Sequence, residues 1–186
     1  MIDEKRKREA QSNFTRYLQE GLLRKESNEL AKSKYLENAD LSLKVSTELV
    51  QSQLKPYLWV IVTSYYSMFY MANAVLLHYG YKTQDRIAHK VTSDALIVLV
   101  LDRLKKELLE DYETMQKDAL EIAGAKAESV IESYSLELDK RSRFQYDMLE
   151  QTKENKAQTS LKRASAFVFE LKKLLKNDAP RGKRDG

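Results

Sequence analysis

Residues 57–89 read YLWVIVTSYYSMFYMANAVLLHYGYKTQDRIAH. An aromatic-rich apolar run is closed by Gly80, and a short polar turn leads to His89. The run is apolar on most sides: Trp59, Val60, Val62, Tyr66, Phe69, Tyr70, Asn73, Leu76 and Leu77. That pattern predicts a central helix over about 57–79, packed by neighbours all round. Pro56 suits its first turn and Gly80 its stop. The core of the run, Trp59 to Tyr79, is long enough to span a bilayer. Thr63, Ser64, Ser67 and Asn73 interrupt it, so a buried core helix is expected and no membrane partner.

Working outward, the chain of 186 residues is long enough for one domain with its own core. Two Pro, five Gly and 32% charged residues favour helices with few turns. The absence of Cys excludes disulfides and thiolate metal sites and fits a reducing, cytoplasmic setting. With His78 and His89 alone, neither a His-built metal site nor a cofactor is expected. Residues 3–9 are charged and no apolar segment follows, so no secretory leader is expected. The net charge of +4 is held largely in the two ends, so only a local patch would attract nucleic acid.

Phe14, Tyr17, Leu18 and Leu22 predict a first helix over 3–25, with Gly21 weakening its last turn. Ser27 or Asn28 suits the cap of a second, which reaches about Leu54 through Leu36, Ala39, Leu43 and Leu49 or Val50. Val91, Ala95, Leu96, Val98, Leu99, Leu101, Leu104 and Leu108 predict a fourth over 87–109. Residues 102–132 carry nine acidic and five basic groups with sparse apolar positions (Tyr112, Met115, Leu120, Ile122, Val130). They read as a helical insertion over about 102–135, solvated or docking a partner, with a break near Gly124. Over 147–176, Ala157, Leu161, Ala164, Val168, Leu171 and Leu175 alternate at spacings of 4 and 3, a regular helical stripe. The tail 177–186 is basic and too polar to fold alone. The expected architecture is all-α, one helical domain over 1–176, with no strands.

Phosphate loops, metalloprotease motifs and hydrolase elbows are absent. Two constellations carry chemistry. Arg86, His89 and Lys90 place an imidazole beside two cations, which favours its neutral form. Such a ring hydrogen-bonds a phosphate or a backbone group, or simply caps a helix. Lys140, Arg141 and Arg143, followed by Phe144 and Tyr146, suit phosphate contacts with a ring stacked on a base. The same segment reads equally as a helix entry with Phe144 in the core.

These clusters, in this order, resemble the HEPN domain superfamily, in particular its stand-alone archaeal and bacterial type. The resemblance rests on three passages. They are Ser64–Tyr70 (SYYSMFY), Leu76–Tyr81 (LLHYGY) with the later His89, and the block Arg141, Tyr146, Ala157, Ala164, Phe167, Val168 and Leu171. GLLRKESNELAKSKYLENADLSLK over 21–44 looks like the family's first core helix and its lead-in. The likeness covers about 30–101 and 138–176, leaving the N-terminal helix as an addition. It implies an antiparallel bundle of four to five helices, commonly a homodimer. In active members an Arg and a His with four to six residues between them form a metal-independent RNase site, and many members are toxins paired with a nucleotidyltransferase-type partner. Here Tyr146 stands where active members place His after Arg141. The resemblance therefore implies a non-catalytic module binding nucleotide or RNA through Arg86, His89, Lys140, Arg141, Arg143 and Tyr146. Two alternatives stand beside it: an endoribonuclease with a non-standard Arg141/Tyr146/His89 site, and a helical scaffold.

Overall fold

A computed structural model describes residues 2–84, 88–134 and 150–178, the side chains of 123–134 and 150–152 excepted. Among these residues lie six α-helices: α1 (Glu4–Gln19), α2 (Glu29–Val50), α3 (Tyr57–His78), α4 (Ala88–Val100), α5 (Lys106–Tyr134) and α6 (Glu150–Asn177). The all-α expectation holds apart from one feature. Two short strands, β1 (Leu23–Lys25) and β2 (Tyr81–Thr83), pair antiparallel with Leu23 opposite Thr83 and Lys25 opposite Tyr81.

That ribbon corrects the expectation of no strands, and two glycines explain it. Gly21 (φ +70°) and Gly80 (φ +79°) sit in the left-handed region that glycine adopts without steric cost. Each turns the chain out of a helix and into a strand. The first helix therefore ends at Gln19, short of the expected 25, and Leu23 goes into the core. Thr83 is held from the other side, its hydroxyl donating to the buried Asn73 of α3 at 2.8 Å.

Local signals set the start of α2, where the Asn28 side chain accepts from the Ala31 amide at 2.9 Å. The helix stops at Val50, four residues before the expected end. Residues 51–55 form a turn with Lys55 at φ +49°, and Leu54 is left 89% exposed. α3 keeps the predicted limits to within a residue. It is the central element, packing most extensively against α2 and α6 and also against α4 and α5. Its length and apolarity would allow it to cross a membrane, but most of it is buried within the bundle. Trp59 departs from that pattern, being 52% exposed at the first turn. The serines inside this helix have partners: Ser64 Oγ lies 2.6 Å from Ser46 Oγ of α2, and Ser67 donates to the Ser64 carbonyl at 2.7 Å. Small hydroxyl residues let α2 and α3 approach without a buried polar group going unpaired.

The expected helix over 87–109 is two. α4 ends at Val100, a 3-10 turn covers Leu101–Arg103, and Leu104 is extended (φ −124°, ψ 157°). No Pro or Gly marks the break. It returns Leu101 and Leu104 to the core and lets α5 run back along α3. α5 is continuous through Gly124. It is a bundle helix rather than a solvated extension: Leu109, Tyr112, Met115, Ala119 and Ile122 are buried. Its acidic character serves pairing with α6, through Asp111–Arg163 (2.8 Å) and Asp118–Lys156 (2.9 Å). In α6, Ala157, Ala164, Val168 and Leu171 are buried as the stripe predicts. The expected start of this helix at 147, and the basic tail from 179 on, lie outside the described residues.

α1 is tied in at its start. Asp3 caps it by accepting from the Arg6 amide at 2.7 Å, and the Ile2 amide donates to Glu110 Oε1 of α5 at 2.7 Å. Ala10, Phe14 and Tyr17 are buried along it, and α4 is its main neighbour.

Candidate functional site

The sequence YYSMF places Tyr65 and Phe69 one helical turn apart, with Tyr66 beside them. α4 brings His89, in its first turn, against this aromatic wall. The imidazole lies 4.4 Å from the Phe69 ring, 5.6 Å from Tyr65 and 6.1 Å from Tyr66, centroid to centroid. Tyr65 is fully buried and Tyr66 and Phe69 are half-buried, so the wall runs from the core to the surface.

One hydrogen bond organises the group: Tyr65 Oη and His89 Nδ1 are 2.6 Å apart. Burial pushes the Tyr65 phenol far above its ordinary range, so it keeps its proton and is the donor. Nδ1 then accepts, and the imidazole proton sits on Nε2. Burial also lowers the His89 pKa below its usual 6.5, so the ring is neutral at physiological pH. The neutral state agrees with the sequence expectation, and its cause among the described residues is burial against the rings. This bond ties α4 to a different helix, α3.

Behind Tyr65 the wall continues into the core. The Tyr112 ring is 5.9 Å from Tyr65 and stacks on Phe167 of α6 at 5.4 Å. The Tyr112 hydroxyl is buried, faces Tyr65 without meeting hydrogen-bond geometry, and is pushed up by burial. The series Phe167–Tyr112–Tyr65–His89 thus couples four residues on four helices.

Of the six site residues predicted from sequence, His89 is the one within the described set; Arg86, Lys140, Arg141, Arg143 and Tyr146 lie outside it. Ile122 of α5 and Ala157 of α6 pack together with Tyr57, Val60 and Ile61 on the first turns of α3. The partners of His89 were legible only in part. The i, i+4 spacing of Tyr65 and Phe69 signals a shared face, but nothing in the sequence says that His89 docks on it.

No group of His, Asp or Glu able to hold a metal is found among the described residues. Compared with models of known families, with curated proteins and with solved structures, the chain matches none of them.

Proposed function

We propose that this chain is a non-catalytic HEPN-type protein. It acts in the cytoplasm as a homodimer that binds RNA or nucleotide phosphate, alongside a nucleotidyltransferase-type partner. The sequence resemblance motivates the family, and the helical bundle is compatible with it. The single observation that favours binding over cleavage is the Tyr65–His89 hydrogen bond. With Nδ1 accepting from a phenol, the half-buried His89 ring keeps an Nε2–H donor and no free lone pair. Such a group donates a hydrogen bond to a phosphate oxygen but cannot take the proton of an attacking 2′-hydroxyl. Tyr146, at the position where active members carry His, supplies no replacement near neutral pH, since a phenol titrates near ~10. In this reading Arg141 and Arg143 grip phosphate, Tyr146 stacks on a base, and Lys140 and Arg86 add charge.

The test is an RNA-binding titration in EDTA with end-labelled RNA, run so that cleavage is seen in the same samples. The expected result is binding without cleavage. Arg141→Ala should weaken it about tenfold or more, the order of one charge-assisted contact to phosphate. Cleavage by the wild type that Arg141→Ala and His89→Ala both abolish would instead establish the endoribonuclease. Failure of the folded protein to bind any RNA or nucleotide would remove the reading altogether.

A further inference from the structure

A cavity of about 670 Å³ opens where the C-terminal ends of α3 and α6 meet the start of α2 and the 3-10 turn after α4. Its volume is in the range of small-molecule sites, which run roughly 300–1,000 Å³. Three cations on its wall come from three elements, Lys32, Arg103 and Lys176, and the His78 imidazole lies beside them. Lys32 pairs with Glu29 at 2.6 Å, whereas Lys176 has no carboxylate partner among the described residues.

Two carboxylates sit among these groups, Glu29 held by Lys32, and Asp178. Asp178 Oδ2 accepts from the Tyr79 hydroxyl at 2.5 Å and from Arg103 Nη1, which also reaches Tyr79 Oη at 3.1 Å. The Tyr79 hydrogen bond above all, with Arg103 and the nearby His78 adding to it, holds the Asp178 carboxyl below its ordinary range. Burial and the same carboxylate push the Tyr79 phenol up to about 12, so it remains a donor. Tyr79 and Arg103 are thus arranged as an anion receptor, and the anion in place is the side chain that follows the last residue of α6. The Asp178 amide is bonded to the Leu174 carbonyl at 3.0 Å. The backbone therefore stays where it is when the side chain rotates away.

A phosphate monoester carries a charge near −1.5 to −2 at neutral pH and three acceptor oxygens, against one charge and two oxygens for Asp178. Arg103, Tyr79 and Lys176, which has no carboxylate partner among the described residues, match that larger acceptor better than a single carboxylate does. Leu36 and Leu175 supply apolar wall for the rest of a ligand. We propose that this cavity binds small phosphate monoesters, with Asp178 as an internal stand-in that the incoming phosphate displaces. The site is separate from the His89 face and does not depend on the function proposed there.

Isothermal titration of the full chain with inorganic phosphate, ribose 5-phosphate and adenosine monophosphate tests it. An ester is expected to bind the wild type. Asp178→Asn should tighten it several-fold by removing the competing charge, and Arg103→Ala should weaken it about tenfold or more. Equal binding of inorganic phosphate and the esters means that the site reads the anion alone and leaves the ester proposal overturned. Preference for the adenosine ester over the sugar phosphate means that the apolar wall is used. Melting by circular dichroism accompanies each variant. Should Arg103→Ala fold poorly, Lys176→Ala, which breaks no ion pair among the described residues, takes its place. No binding to Asp178→Asn, or binding indifferent to both cation variants, overturns the proposal.

Discussion

His89 shows how one side chain's protonation is set by where a helix puts it. Its pKa in the folded protein is lowered below 6.5 by burial against α3. The folded state therefore binds fewer protons than the unfolded state as pH falls, and stability must rise with pH through this window. The contribution is present above about 6.5 and is lost as acidification passes through that value toward the lower folded pKa. Urea unfolding of the wild type between pH 7.5 and pH 5, compared with His89→Gln, should show a steeper fall for the wild type. Equal slopes would mean that the imidazole is not shielded as described.

At the scale of elements, Gly80 governs how α3 gives way to β2. Its φ of +79° is the left-handed cap in which the Gly80 amide bonds the Leu77 carbonyl at 3.0 Å. A Cβ built there meets nothing within 4 Å. The cost of Gly80→Ala is therefore backbone strain alone, about 1 kcal/mol, and Gly80→Asn should cost less. Thermal melts of the two variants check the order; a much larger loss would point to a packing role that the open space denies. The stop at Gly80 and the cap at Asn28 could be read from sequence because both are local chemistry. The end of α4 could not. Nothing between Val100 and Lys105 is a helix breaker, and the chain turns there because Leu101 and Leu104 gain core contacts by it. The burial of α5 was hidden for a related reason. Its acidic surface reads as solvated until Arg163 and Lys156 of α6 are seen beside Asp111 and Asp118.

For the molecule as a whole, α1 is fastened by charge as well as by apolar contact. Asp94 of α4 is fully buried and accepts from Asn13 at 3.0 Å and Tyr17 at 2.9 Å, while Arg6 lies 2.6 Å from it and 2.6 Å from Glu113 of α5. One carboxylate thus collects three side chains of α1, and Arg6 links α4 to α5. Burial and the hydrogen bond to Asp94 push the Tyr17 phenol up to about 12, so it donates throughout the physiological range. Removing one member of such a cluster leaves the others buried without their partner. Asp94→Ala should cost about 3 kcal/mol in urea unfolding and should make cleavage within residues 4–19 by protease easier. A loss below about 1 kcal/mol would mean that α1 is held by its apolar face alone.

By itself the sequence determined the helical class, the limits of α3, the buried stripe of α6 and the polar cap of α2, since each depends on residues within a few turns of one another. Tertiary structure alone decided the β1–β2 ribbon, the break after α4, the docking of His89 on Tyr65 and the gathering of Tyr79, Arg103 and Asp178. The last two join residues 24 and up to 99 positions apart. No local propensity encodes a contact at that separation. It exists because burying the apolar faces of the helices brings those side chains to one place, where a proton or a charge must find a partner.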